Sequence, residues 1–169
     1  DVYKRQTQYR IDLDGREQKL DTIAALITHG EYERAIAFCN TKNMTDRLAG
    51  LLSMRRISCE AIHGDIQQRI REKTLEQFKK GEVKVLVATD VAARGIDVGN
   101  LTHVINYSLP QDSESYVHRI GRTGRAGKQG TAITFVSPSE FRGLNNLMRD
   151  IKVEIKRETL PSPQDIVEM

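Results

Sequence analysis

The chain has 169 residues, carries 26 basic and 23 acidic side chains for a net charge of +3, and is 38% hydrophobic. That length suits one domain with a sizeable core. Aromatics make up only 5% and tryptophan is absent, so base-stacking platforms are few, and so small a charge excess does not point to nucleic acid by itself. No apolar run approaches the roughly 20 residues of a membrane span, and no charged-then-apolar leader opens the chain. Cys39 and Cys59 lie in apolar, strand-like runs without metal-ligand spacing, and read as small buried hydrophobes in a reducing compartment. A cytoplasmic protein is the expectation.

In chain order, residues 1–6, DVYKRQ, fit no element and read as a non-native leader. Ile36-Ala37-Phe38 reads as a strand, after which Thr41 caps a helix with Met44, Leu48, Leu51 and Leu52 on its apolar face. Ser58 to Ile62 is the next strand. Asp65 then caps a helix carrying Ile66, Ile70, Thr74 and Phe78 on one side, which Gly81 stops. Val83 to Ala88 is a near-continuous apolar run, as in a strand buried on both faces. Val104 to Tyr107 is another strand, Glu114 to Ile120 a short helix and Thr131 to Val136 a strand. Phe141 to Arg149 is helical through Leu144, Leu147 and Met148. The domain is taken as 7–158. Residues 159–169, with Pro161 and Pro163, read as a linker or the start of a C-terminal extension.

Alternating strands and helices imply an α/β fold, a parallel sheet covered on both faces in three layers. Ligands in such sheets sit at the carboxyl ends of the strands. Attention therefore falls on Asn40-Thr41, on His63-Gly64-Asp65 and on Thr89 to Gly99.

Three segments carry chemistry. Thr89 to Asp97, TDVAARGID, directly follows a buried strand. Its threonine hydroxyl and amides suit a phosphate oxygen, Ala92 and Ala93 allow close backbone approach, Gly95 permits dihedrals closed to other residues, and Asp97 offers a carboxylate to a ribose hydroxyl or a water. A strand-to-loop turn with Asp and Arg paired for stability is the plain alternative. In the second segment, Arg119, Arg122 and Arg125 alternate with Gly121, Gly124 and Gly127. Arginine forks match phosphate geometry, and the glycines let the loop turn them inward. His118 and Arg122, four apart, would share a helix face; a basic solvated turn is the alternative. Third, Gln68 and Arg71 lie three apart beyond His63-Gly64-Asp65, where a helix N-terminus favours an anion; an ordinary capped helix would look the same. The chain contains neither a GxxxxGK[ST] phosphate cradle nor an acidic DEAD-like tetrapeptide for magnesium. Arginines aimed at phosphate without a cradle suggest an arginine finger supplied to a site whose other half lies elsewhere.

These segments resemble, from about Tyr9 to about Lys156, the C-terminal RecA-like domain of DEAD-box ATP-dependent RNA helicases of superfamily two. HRIGRTGR (118–125) is similar to motif VI, TDVAARGID (89–97) to motif V, IAFCNT (36–41) to motif IV, and Gln68 to Arg71 to the QxxR element. The resemblance implies that Arg122 and Arg125 face the γ-phosphate of ATP, with Arg125 the finger. It implies that Asp97 and Gly95 lie at the nucleotide and that His118 couples hydrolysis to RNA through the partner domain. Gly64, Gln68, Arg71, Thr89 and Arg94 would hold the RNA backbone, with Thr41 and Lys42 as further candidates. Phe38 would support the RNA-facing loop, and Arg119 would brace motif VI. Magnesium would be held mainly by an N-terminal RecA-like domain, the intramolecular partner, without which this half would not hydrolyse ATP. Two rival readings remain open: an RNA-binding or protein-interaction module that lost the ATPase, and the matching domain of a DNA helicase or translocase.

Overall fold

The structure, a computed structural model, describes residues 6–125, 128–151 and 156–157. Seven parallel strands form one sheet in the order β3-β4-β2-β5-β6-β1-β7. They are β1 (Gln6–Asp12), β2 (Ala35–Phe38), β3 (Cys59–Ile62), β4 (Val85–Ala88), β5 (His103–Asn106), β6 (Gly130–Val136) and β7 (Lys156–Arg157). The helices are α1 (Arg16–His29), α2 (Lys42–Met54), α3 (Gln68–Lys79), α4 (Asp90–Arg94), α5 (Ser113–Ile120) and α6 (Phe141–Ile151).

The central strands are short and wholly apolar because both their faces are covered: every residue of β2 and of β4 is buried. Successive side chains alternate between the two faces. Ala35 and Ala37 join Ile23, Ile27, Leu48 and Leu52 of α1 and α2 in one core layer, while Ile36 and Phe38 meet Phe78 of α3 and Ala92 and Ala93 of α4 in the other. Val104 pairs in register with Ala132, so the cluster joining Ala132 to Tyr116, Ile120, Leu144 and Leu147 of α5 and α6 lies on the α3–α4 side. The expected three-layer RecA-like α/β arrangement is therefore present. Cys39 and Cys59 are buried free thiols, and burial pushes the Cys39 pKa up to about 12. No helix of the described residues is long and apolar enough to cross a membrane.

Several expectations need correction. Gln6, read as part of the leader, is the first residue of β1, paired with Gly130, and its side-chain amide donates to the carbonyls of Ile120 and Thr123; residues 1–5 lie outside the described residues. Asp65 does not cap α3. The chain turns through an Ile66 N–H to His63 carbonyl bond, α3 begins at Gln68, and the Asp65 carboxylate pairs instead with Lys42 at 2.9 Å. Ile70 consequently faces solvent, leaving Thr74 and Phe78 as the buried residues of α3. The stretch after β4 contains α4, not only loop. The 159–169 tail, like Ala126 and Gly127 of the arginine loop, lies outside the described residues.

Candidate functional site

The candidate residues divide between the two ends of the sheet. At the carboxyl ends of β2, β3 and β4 stand Thr41, Gly64 and Thr89. Thr41 is exposed and caps α2, its hydroxyl oxygen accepting from the Met44 amide at 3.1 Å. Gly64 lies under the Lys42 side chain, whose Cε would sit 3.5 Å from a Cβ at that position. Its loop is held from behind by His63, buried, with Nε2 2.7 Å from the Asp46 carboxylate and Nδ1 accepting from the Asp65 amide. Those two bonds assign the proton to Nε2. Thr89 is buried and its hydroxyl oxygen caps α4 through the Ala92 amide; its own hydrogen stays available to donate. Gln68 opens α3 and bonds Glu72, whereas Arg71 is half-buried and its Nε has no hydrogen-bond partner among the described residues. Arg94 is exposed at the end of α4.

From there α4 and the following residues carry the chain to the opposite end of the sheet. Leu101, just ahead of β5, forms a parallel bridge with Thr123: its amide donates to the Arg122 carbonyl at 3.0 Å, and the Thr123 hydroxyl donates to its carbonyl. Thr123 and Gly124 also press on Gly130, the first residue of β6. The arginine loop thus sits at the amino-terminal ends of β5 and β6, not at the carboxyl ends where the general rule for such sheets placed the ligand. Gly124, buried with φ +71°, makes the turn in a region that favours glycine. Gly95 does not: its φ is −87°, open to any residue, and the special backbone expected of it is not used.

Asp97, Arg122 and Arg125 come together here. Arg122 donates to the Ile96 carbonyl at 2.8 Å and the Ala93 carbonyl at 2.5 Å, which anchors its guanidinium on the segment after α4 while leaving other N–H groups to spare. Burial lowers its pKa, the adjacent Arg125 charge adds to this, and Asp97 opposes it. Asp97 is exposed; the Gly99 amide on its carboxylate holds its pKa down, helped by Arg125. Arg125 is exposed too, its Nη1 3.9 Å from Asp97. Two cations and one carboxylate open to solvent suit a polyphosphate and its sugar, and the donor set fits ATP. Among the described residues no three His, Cys, Asp or Glu gather where they could hold a metal ion. His118 is exposed in the last turn of α5. That helix ends at Ile120 with Gly121 as its cap, so Arg122 lies beyond it and the expected shared helical face does not form.

The residue that ties the two ends together is Arg119, 1% exposed. Its Nε and Nη2 donate to Asp90 at 2.7 and 2.8 Å, Nη1 to the Ser108 carbonyl and Asn106, and Nη2 also to Asn40. Its guanidinium lies 5.2 Å from the Phe38 ring centroid. All five guanidinium hydrogens are thereby used, linking α5 to α4 and to the carboxyl ends of β2 and β5. Arg119 thus braces the start of the arginine loop, as the resemblance implied, with the Phe38 ring packed against its guanidinium. Asn40 and Asp90 lie in the loops the sequence pointed to, but their bonds to Arg119, and the part played by Asn106, were not read from it.

Comparison with known proteins accounts for this arrangement. The helicase conserved C-terminal domain matches residues 18–127. The DEAD-box ATP-dependent RNA helicase CshA of Geobacillus kaustophilus is 45% identical over 161 residues, covering 95% of this chain and 34% of its own length. CshA of Bacillus anthracis is 47% identical over 152 residues, covering 90% and 29%. Among solved structures, a DEAD box protein from Methanococcus jannaschii superposes with a TM-score of 0.87 at 40% identity, covering 94% of this chain and 43% of that one. The Escherichia coli DEAD-box protein SrmB, in complex with the regulator of ribonuclease activity A, gives 0.85 at 36%, covering 91% of each chain. Dbp5 of Saccharomyces cerevisiae bound to RNA and ADP BeF3 gives 0.85 at 31%, covering 97% and 45%. The chain spans about a third of the length of the curated relatives it matches. It belongs to the helicase conserved C-terminal domain family, and is a RecA-like domain of the DEAD-box RNA helicase type.

Proposed function

We propose that this domain is the C-terminal half of an ATP-dependent RNA helicase, holding an RNA backbone at the carboxyl ends of its strands and presenting arginines to ATP at the other end. The observation that carries the reading is the arginine loop. Arg122 is anchored on two carbonyls and Arg125 stands exposed beside Asp97, while the chain has no phosphate cradle. Arg125 neutralises charge at the γ-phosphate; Arg122 supports it there, and Asp97 with the Gly95 turn receives the ribose or an ordered water. ATP hydrolysis supplies the free energy for remodelling or unwinding an RNA duplex, and magnesium is held mainly by the N-terminal RecA-like domain. Gly64, Gln68, Arg71, Thr89 and Arg94, with Thr41, contact phosphates and sugars, which carry no sequence information. His118 faces the partner domain, and Arg119 passes its position on to the RNA end through Asp90 and Asn40.

Binding of the isolated chain to matched single-stranded RNA and DNA across a salt series tests this, together with an ATPase assay. Preference for RNA, with affinity falling as salt rises by a log–log slope of about 0.7 per phosphate contacted, and no ATP turnover are expected. Equal binding to DNA would favour a DNA-translocase reading, and RNA-stimulated ATPase activity in the isolated chain would refute the split site.

A further inference from the structure

We propose that Asn100 is a positioning residue for Arg125 and that Arg34 holds Asn100 in place; the inference rests on reading Arg125 as the arginine that meets the nucleotide. The Asn100 side-chain carbonyl accepts the Arg125 backbone N–H at 2.7 Å, across 25 residues of sequence. Together with the Leu101–Arg122 and Leu101–Thr123 bonds, the two-residue strip 100–101 therefore pins residues 122, 123 and 125 of the loop. On its other side the strip is held by Arg34, just ahead of β2. The Arg34 guanidinium donates to the Val98 carbonyl at 2.7 Å and the Asn100 carbonyl at 3.4 Å, and lies 5.2 Å from the ring of fully buried Phe78.

The loop needs such a clamp. Gly124 gives the backbone before Arg125 glycine's freedom, which costs entropy to fix. Among the described residues the Arg125 side chain pairs only with the exposed Asp97 at 3.9 Å, too loose and too well solvated to set its direction. Its aim is decided by its backbone, and the side chain that fixes that backbone is Asn100. The chemistry calls for an acceptor at this length, so aspartate can replace asparagine and alanine cannot.

The test uses the full-length protein that carries this domain, measuring RNA-stimulated ATP turnover and RNA affinity for Asn100→Ala, Asn100→Asp, Arg125→Ala and the Asn100→Ala/Arg125→Ala pair. Misplacing a reacting group by about 1 Å costs about 10²-fold, so Asn100→Ala should lower kcat about ten- to hundred-fold with RNA affinity unchanged. Asn100→Asp should restore most of the loss, and Asn100→Ala should add nothing once Arg125 is gone. Wild-type kcat in Asn100→Ala alongside a collapsed Arg125→Ala overturns the role of Asn100 and leaves the finger standing. Full turnover in Arg125→Ala overturns the reading beneath it. Should Asn100→Ala not fold, Asn100→Asp is set against Asn100→Ser: retained kcat in the first and lost kcat in the second supports the clamp, and equal kcat refutes it.

Discussion

Replacing Arg119 by alanine would remove a side chain that bonds α4 and the ends of β2 and β5 to α5 at once. The five donors it loses serve the Asp90 carboxylate, the Asn106 and Asn40 side chains and the Ser108 carbonyl. Breaking a buried ion pair by deleting one partner costs about 3–5 kcal/mol, because the other charge stays behind. Asp90 is 23% exposed on its side chain, which eases that cost, while fully buried Asn106 loses an acceptor bond it cannot replace with water. A loss of about 4 kcal/mol follows, or about 8–16 °C in Tm for a domain of this size. Thermal and urea unfolding of Arg119→Ala, Asp90→Asn and the double variant measure it, and the cycle should return a coupling of about 1.5–3 kcal/mol. Arg119→Met keeps the packing on Phe38 without the charge, separating packing from polarity. A Tm within about 3 °C of wild type for Arg119→Ala, or additive single variants, would refute the claim that this network joins the two ends.

Three further outcomes are expected. A Cβ at Gly130 would fall on Thr123 Oγ1 and Gly124 N, so Gly130→Ala should push the arginine loop off β6, costing about 1–3 kcal/mol and ATP turnover in the full-length protein; wild-type Tm and turnover would contradict it. Thr41→Ala should cost about 1 kcal/mol through the lost α2 cap, read as a lowered urea midpoint. His103 stacks on Tyr32 at 3.6 Å between centroids, and burial lowers its pKa to about 4. The unfolded chain takes up that proton near pH 6.5 and the folded one only near 4. Stability should therefore decline as pH falls from 6.5 towards 4 and decline no further from this group below that, whereas His103→Phe should flatten that part of the profile.

How much was legible depends on how local each cause is. The strands from β2 to β6, the Thr41 cap of α2 and the apolar faces of α2 and α6 are written in neighbouring residues, and the sequence finds them within a residue or two. β1 and α1 went unread because QTQYRID has little apolar alternation and α1 carries its buried Thr22, Ile23, Ala24, Leu26 and Ile27 among charges at its exposed positions. α4 is five residues long, less than two turns, too short for periodicity to register. Asp65 looked like a cap until Lys42, 23 residues earlier, took its carboxylate. The network around Arg119, a residue that only the resemblance marked as a brace, is the largest gap. Charged side chains seldom bury completely, and its partners lie between 11 and 79 residues away, so nothing beside it in the sequence announces the network. The arginine loop was visible as a phosphate-directed motif; its seat at the amino-terminal ends of β5 and β6 came only from the Leu101–Thr123 bridge.

The most direct measurement of the central claim is RNA-stimulated ATP turnover of Arg125→Ala in the full-length protein, with RNA affinity followed in parallel. An arginine supplied across the domain gap predicts a loss of about 10³-fold or more in kcat with RNA binding retained. Turnover near wild type, or a loss of RNA binding that matches the loss of turnover, would contradict it.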